Sequence, residues 1–262
     1  MTDLAVSIIV VSLNTKKDFL KTLNSILSQK FSSYEIIVID GDSKDGTIEE
    51  IEKNKRNISK YIIEKDKGIY DAMNKGINIS KGRWIIFLNS GDIFYDNNVL
   101  LKFSEYDLKN NQIVYGDTII DNDNIKYLIK SNMFTDKTIL MPFCHQSCFV
   151  RSSIFKNQKF ILDYKISSDF NLFVQSYINN INFFKANFII SQVKAGGLSD
   201  TSRKDVLEEN ILILKKTKNK KIYILYFLKI LENIKYLIKL IIPKKILNFL
   251  LKIKYRNMII LK

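Results

Sequence analysis

Asp92 closes the stretch Trp84-Ile85-Ile86-Phe87-Leu88-Asn89-Ser90-Gly91-Asp92, in which five large apolar residues run straight into a small polar turn. Such a run, bounded by Gly82 and Gly91, predicts a strand covered on both faces with Asp92 just beyond its carboxyl end. Loops at that edge of a parallel sheet diverge and leave a crevice for ligands. A carboxylate there suits a divalent cation on a nucleotide pyrophosphate. The structural alternative is an Asp that caps the next helix.

Other units of the same kind must position that acid. Val6 to Val11 reads as a buried strand ending at Ser12-Leu13-Asn14, and Lys16 to Gln29 carries Phe19, Leu20, Leu23, Ile26 and Leu27 at helical spacing. Glu35 to Ile39 is a second strand, delivering Asp40-Gly41-Asp42-Ser43-Lys44-Asp45-Gly46-Thr47. A short helix to about Asn54 follows, with Ser43, Asp45 and Thr47 as N-cap candidates. Tyr61 to Ile63 is a weak third strand, and Ile69 to Ser80 a helix before the Trp84 strand. This alternation predicts a doubly wound α/β fold. Gly41 and Gly46 begin a phosphate-loop pattern, but Thr47 stands where Lys is required, and no Gly-x-Gly-x-x-Gly occurs to mark a dinucleotide-binding dehydrogenase.

Three motifs in order carry a resemblance. Asp40-Gly-x-Ser-x-Asp-Gly-Thr, Asp66-Lys-Gly-Ile-Tyr-Asp-Ala-Met-Asn74-Lys-Gly and Lys81-Gly-x-Trp-Ile-x-Phe-Leu-Asn-x-Gly-Asp92 resemble the nucleotide-sugar half of family 2 glycosyltransferases, above all the bacterial members that build surface polysaccharides. The match is clear over residues 6 to 100 and looser to about Ser199. The resemblance implies a GT-A fold, an activated sugar donor (usually a UDP- or dTDP-sugar), a divalent metal such as Mn2+ or Mg2+, and inversion at the anomeric carbon. It assigns Ser12, Asn14 and Asp40 to the base and ribose, and adds Asp66, Lys67, Asn74, Asn89 and Gly91 to the donor site, with Asp92 the metal ligand. A carboxylate at Asp40 can accept hydrogen bonds from an imide N–H or ribose hydroxyls. Asn89 departs from the family's usual acidic pair, a neutral oxygen that lowers the charge available to a cation. Met73 stands where Arg is common, which leaves Lys67 and Lys75 to neutralise a pyrophosphate.

Residues 1 to 100 thus form the donor-nucleotide half, and 101 to 200 supply the acceptor half. Gln112 to Asp117 is a strand, and Asp121-Asn122-Asp123-Asn124 reads as a hairpin turn between Thr118-Ile119-Ile120 and Ile125 to Leu128. His145, the sole histidine, lies in Cys144-His-Gln-Ser-Cys148, similar to the His-Gln-Ser segment of the same subgroup. An acceptor hydroxyl must lose its proton as it attacks, and a positioned carboxylate accelerates that by ~10²–10⁴-fold. Asp169, in Ile166-Ser-Ser-Asp-Phe-Asn-Leu172, resembles the family's helix-opening base, with Asp163 its rival and His145 a second catalytic candidate. Gly196-Gly197-Leu198-Ser199, after a strand from Phe188 to Val193, is placed to approach the pyrophosphate through its backbone.

Charge divides the chain. Residues 201 to 262 hold 16 Lys and Arg against 4 Asp and Glu, a net +12 of the chain's +14. From Lys221 to Ile242 apolar residues surround polar positions 229, 232, 233, 235 and 239, which fall within one arc of a helix. Pro243 ends it, and Lys244 to Arg256 repeats the pattern less cleanly. The longest apolar run there, Ile222 to Leu228, is far short of the ~20 residues that cross a bilayer, so the tail (201 to 262) reads as basic amphipathic helices for an anionic membrane surface, with 221 to 256 as the contact. It is not a nucleic-acid groove, since its lysines line a very apolar helix. Two ordinary helices packed on the core are the alternative.

Met1-Thr2-Asp3-Leu4 lacks a charged n-region, so no signal peptide is expected, and Cys144 and Cys148 read as reduced thiols. These readings place the protein in the cytoplasm, peripheral on the inner face of the cell membrane. The combined expectation is an inverting, metal-assisted glycosyltransferase with a lipid-linked or polysaccharide acceptor. A sugar nucleotidyltransferase or a non-catalytic membrane-bound scaffold with a dead donor site are the alternatives. The processive synthases of the family are excluded by the lack of Gln-x-x-Arg-Trp.

Overall fold

The computed structural model describes residues 5–122, 125–217, 219, 221–241 and 260–261. In the first half β1 (Val6–Ser12), α1 (Lys16–Leu27), β2 (Tyr34–Asp40), α2 (Thr47–Lys53), β3 (Lys60–Ile63), α3 (Ile69–Ile79) and β4 (Trp84–Phe87) alternate as the periodicities predict. There follow β5 (Ile93–Phe94), α4 (Val99–Ser104), β6 (Ile113–Asp121), β7 (Lys126–Ile129), β8 (Cys148–Arg151), α5 (Ser152–Asn157), α6 (Ser168–Ile178), β9 (Phe183–Lys194), α7 (Leu198–Thr201), α8 (Arg203–Lys215), α9 (Ile222–Ile241) and β10 (Ile260–Leu261). Residues 123–124, Pro243 and the helix expected over Lys244 to Arg256 lie outside the described residues.

One mixed sheet runs in the order β10-β7-β6-β8-β4-β1-β2-β3, with β9 paired to β5 and β6. The parallel pairing expected from the βα alternation of the first hundred residues holds for β3, β2, β1 and β4. Beyond residue 100 the sheet is mixed, because β8 inserts antiparallel between β4 and β6. That reversal matters for the site. Trp84 pairs with Arg151 and Ile85 with Val150, so the start of β8 lies beside the end of β4. The hairpin of β6 and β7 forms in the register Ile120 to Tyr127.

Alternate residues along each strand feed two cores, since side chains of a strand point to opposite faces. Ile9, Ile37, Ile39, Ile85 and Phe87 pack with α3, α6 and α8, whereas Ile8, Val10, Ile36, Val38, Ile86 and Leu88 pack with α1 and α4. Full burial of each such side chain is worth ~1.5–3 kcal/mol. Helix α2 starts one residue later than a side-chain N-cap would place it. Gly46 occupies that position in left-handed conformation (φ +94°), and Asp45 serves the helix from outside, taking the Thr47 N–H and hydroxyl on Oδ1 at 3.1 and 2.5 Å.

A boundary at residue 200 does not separate two packing units. Leu207, Ile211 and Leu214, spaced along one face of α8, are buried in the same core as Phe170 and Phe173 of α6, and Leu225 of α9 joins them. The lysine-rich composition misled because the charges lie on the outer face. Two polar residues of α9 turn toward α8: Lys229 Nζ is 2.9 Å from Glu208 Oε1, and Arg203 Nε is 3.2 Å from Glu232 Oε1. Apolar side chains are left outside, with Tyr223 65%, Phe227 59% and Ile230 56% exposed. Among the described residues no helix is long and apolar enough to cross a membrane.

Candidate active site

The loops after β1, β2, β3 and β4 meet at one sheet edge, because Ser12 pairs with Asp40 and Asp40 with Ile63 in register. Asp40 is wholly buried and accepts from Ser12 Oγ (2.5 Å), Ser43 Oγ (2.7 Å) and Ser43 N–H (2.7 Å). Its carboxylate, expected at the base and ribose, is therefore turned into the loop it shapes. Exposed Asn14, in the left-handed region at φ 51°, braces the same loop by accepting the Lys44 N–H at 2.7 Å. Asp66 approaches the backbone of Gly41, where a side chain would lie 3.1 Å from its Oδ2. Burial raises its carboxyl above the ordinary range against the opposing Lys75 contact.

Lys75 is held by Asp66 (2.6 Å), Glu64 (2.9 Å) and Asp71 (3.4 Å), while Lys67 is exposed. Of the two lysines, Lys67 is the one the structure leaves at the surface. Asn74 does not face the other donor residues with a free amide. Its Nδ2 donates to Phe160 O at 2.8 Å and its Oδ1 accepts Phe160 N–H at 3.1 Å, a strap between α3 and the loop after α5.

The Asp92 loop is pinned from α1. Fully buried Thr22 accepts the Gly91 N–H at 2.9 Å and donates to Asp92 O at 2.8 Å. Gly91 takes φ +104°, a conformation that strains any other L-residue. Asp92 itself is 5% exposed; Oδ2 accepts Gln146 Nε2 at 3.1 Å and Oδ1 accepts the Lys194 N–H, at the end of β9, at 3.2 Å. Burial pushes its carboxyl up to about 6, against the opposing Lys194 N–H, the nearby His145 and Gln146.

Two further side-chain oxygens of this loop, Asn89 Oδ1 and Ser90 Oγ, are buried with no hydrogen-bond partner. Buried polar atoms without partners are uncommon and call for a reason. One carboxylate and neutral oxygens fit a hard cation that takes its remaining ligands from phosphates, as Mg2+ commonly does. No group of three or more His, Cys, Asp or Glu side chains suited to a metal occurs among the described residues.

The antiparallel β8 delivers His145 to this edge, on a 3-10 turn just before the strand. His145 Nδ1 is 3.1 Å from Asp169 Oδ2, and His145 Nε2 is buried without a hydrogen-bond partner. Asp169 sits in the first turn of α6, as expected, and its Oδ1 accepts the Phe170 N–H at 2.8 Å. The Tyr70 hydroxyl lies 3.0 Å from Asp169 Oδ1 and 2.6 Å from Ile166 O. Burial, then the Asp169 charge, keeps that phenol well above its usual value, so it stays a donor. Glu209 of α8 accepts the N–H groups of Lys165, Ile166 and Ser167 at 2.7, 3.0 and 2.8 Å, fixing the approach to α6. Asp163 is exposed. Gly196 (φ +88°) follows β9, with the Ala195 N–H bonded to Asp121 O at 2.8 Å.

Sequence reasoning missed Thr22, Tyr70, Gln146, Lys194 and Glu209 as parts of the site. Tyr70 and Gln146 lie inside quoted motifs, so position carried a signal for them. Thr22, Lys194 and Glu209 act on main chain or through main chain far away in sequence, which leaves no local pattern.

The family model described as Glycosyl transferase family 2 matches residues 7–177. UDP-Glc:alpha-D-GlcNAc-diphosphoundecaprenol beta-1,3-glucosyltransferase WfgD of Escherichia coli is 30% identical over 212 residues, covering 78% of this chain and 82% of that protein. Among solved structures, S. aureus TarS 1-349 in complex with UDP-GlcNAc superposes with a TM-score of 0.64 at 17% identity, covering 80% of this chain and 66% of that one, just under two thirds of its length. The mannosyltransferase PcManGT of Pyrobaculum calidifontis, in complex with GDP-Man and Mn2+, gives 0.61 at 12% identity over 86% of this chain and 68% of that one. At those identities the structures speak for the fold, which is that of GT-A glycosyltransferases.

Proposed function

The chain belongs to glycosyl transferase family 2 and is a glycosyltransferase; from that premise we propose that it inverts the anomeric centre of a nucleotide-diphospho-sugar while extending a lipid-linked saccharide bound for a surface polysaccharide. The observation that carries the reading is the convergence at one sheet edge of Asp92 and three buried, unpartnered polar atoms, Asn89 Oδ1, Ser90 Oγ and His145 Nε2. The loops bearing Ser12, Asn14, Asp40 and Asp66 would border the nucleotide end, and exposed Lys67 would meet the diphosphate. Asp92, with Asn89, would hold a divalent cation, which neutralises charge building on the leaving diphosphate. The Asp169–His145 pair takes the acceptor proton. A lipid-linked acceptor is supported by the relative WfgD, whose name specifies a diphosphoundecaprenol substrate.

A thermal-shift panel of UDP-, dTDP- and GDP-sugars, each with and without Mn2+ or Mg2+, tests this. One nucleotide-sugar should raise the midpoint in a cation-dependent way and be hydrolysed slowly without acceptor, because a ligand that binds only the folded state stabilises it. No shift with any donor and no hydrolysis would favour the scaffold reading.

We further propose that α9 rests on the inner, anionic leaflet. Support comes from the exposed Tyr223, Phe227 and Ile230, together with the net +12 of residues 201 to 262. Each basic residue near such a surface contributes ~1 kcal/mol. The protein should co-sediment with acidic vesicles and be released only in part as salt shortens the Debye length from ~10 Å at 0.1 M to ~3 Å at 1 M, since apolar burial is not screened. Phe227→Ser with Ile230→Ser should cut vesicle binding at least tenfold while donor hydrolysis and thermal midpoint hold. Unchanged sedimentation of that variant removes α9 from the membrane contact.

A further inference from the structure

Tyr70 reaches from the first turn of α3 to the carboxylate at the opening of α6, 99 positions along the chain. Its ring is buried and held against Phe160, with centroids 5.2 Å apart. The hydroxyl lies 2.6 Å from Ile166 O and 3.0 Å from Asp169 Oδ1, so one phenol proton serves two acceptors. Burial, then the Asp169 charge, keeps that proton on the oxygen. The two oxygens of Asp169 are therefore unequal. Oδ1 also accepts the Phe170 N–H at 2.8 Å, which engages both of its lone pairs, whereas Oδ2 has His145 Nδ1 at 3.1 Å. The oxygen with one donor rather than two is the one left to take a further proton.

We propose that Tyr70 is a positioning residue for the base: its hydroxyl occupies Oδ1 and leaves Oδ2 of Asp169 to meet the acceptor hydroxyl. The assignment rests on the glycosyl-transfer reading. In the step, the acceptor oxygen forms its bond to the anomeric carbon, the bond from that carbon to the diphosphate oxygen breaks, the nucleoside diphosphate leaves with the electron pair, and the hydroxyl proton passes to Oδ2. As the carboxylate loses its charge, the phenol proton still has Ile166 O, so the buried hydroxyl is never left without an acceptor. Glu209 grips the N–H groups of Lys165, Ile166 and Ser167, and Tyr70 takes the carbonyl of Ile166 from the other side of the same segment. The clamp holds the approach to α6; the phenol alone also touches the carboxylate.

The test uses the full chain with the nucleotide-sugar and cation that raise its thermal midpoint, and reads donor hydrolysis, in which water stands for the acceptor hydroxyl. Tyr70→Phe keeps the ring on Phe160 and removes the donor. It should lose ~10- to 100-fold in kcat while donor KM and the cation-dependent midpoint shift hold. Assays well below the midpoint keep the variant folded despite the lost hydrogen bond. In an Asp169→Asn background the same change should cost no more than about twofold further, because residues that act as a unit are not additive. A merely structural hydroxyl would cost the same in both backgrounds. The proposal is overturned if Tyr70→Phe keeps turnover within a few-fold, if its loss multiplies in full onto that of Asp169→Asn, or if it raises donor KM, which would assign the hydroxyl to the Asp66-Lys67-Gly68 loop it follows. Failure of the wider reading looks different: the unaltered protein itself would neither bind nor hydrolyse a nucleotide-sugar.

Discussion

Asp92→Asn is expected to abolish sugar transfer and yet raise the thermal midpoint of the unliganded protein at pH 7.5. The carboxyl is pushed up to about 6 by burial, above the ordinary aspartate value of 3.8. In the folded state it therefore holds its proton over a window, roughly pH 4 to 6, in which the unfolded chain has released it. Stability from this group is thus greatest below about pH 4 and falls as pH rises to about 6. Above that the full penalty applies, on the order of 3 kcal/mol at ~1.4 kcal/mol per pH unit. Asn removes the charge and still accepts the Lys194 N–H, while Gln146 can turn its amide to meet the new NH2. At ~2–4 °C per kcal/mol for a chain of this size, the gain should be several degrees. It should vanish near pH 4, and Mn2+ with donor should stabilise only the unaltered protein. A variant that still transfers sugar, or whose midpoint drops at pH 7.5, contradicts this account.

Glu209→Ala should cost about 2 kcal/mol, since three N–H groups lose an ionised acceptor and water replaces it only in part. The larger effect should be on turnover. The released segment carries Ile166, whose carbonyl takes the Tyr70 hydroxyl, and runs into the helix that presents Asp169. A tenfold or greater fall in kcat at unchanged donor KM is expected, with Glu209→Gln intermediate because one amide oxygen can still serve two of the three donors. Chemical denaturation and steady-state kinetics on the two variants check both parts. An unchanged midpoint with full turnover would make the clamp ornamental.

The first hundred residues of the fold were legible because their strands are short unbroken apolar runs and their helices follow a 3.6-residue pattern. β9 was read only from Phe188, since Lys185 and Asn187 stand exposed among its apolar residues and the pairing with β6 shifts register beyond Lys185. α8 was assigned to the tail from its lysines, although Leu207, Ile211 and Leu214 carry the core spacing. Within the candidate site, Asp92 was named from local pattern and Asp169 and His145 from the resemblance. Their mutual arrangement was not, because it depends on the reversed entry of β8. Asp40 and Asn74 show the other limit: residue type declared a hydrogen-bonding group, but not that its partners would be Ser43 nearby or Phe160 across 86 positions.

The bond from the Lys194 N–H to Asp92 spans 102 positions of chain, and Ile93 pairs with Gln192 beside it. During synthesis the ribosome must therefore release β9 before the pocket around Asp92 can close. Until then the acid remains hydrated and ionised, and the first hundred residues emerge as a sheet with an unsealed edge. Closing so long a loop comes late because its entropy is lost before its contacts form. Nucleotide-sugar accordingly has no finished cradle to template the early fold, and a fragment ending near residue 100 should bind it weakly or not at all.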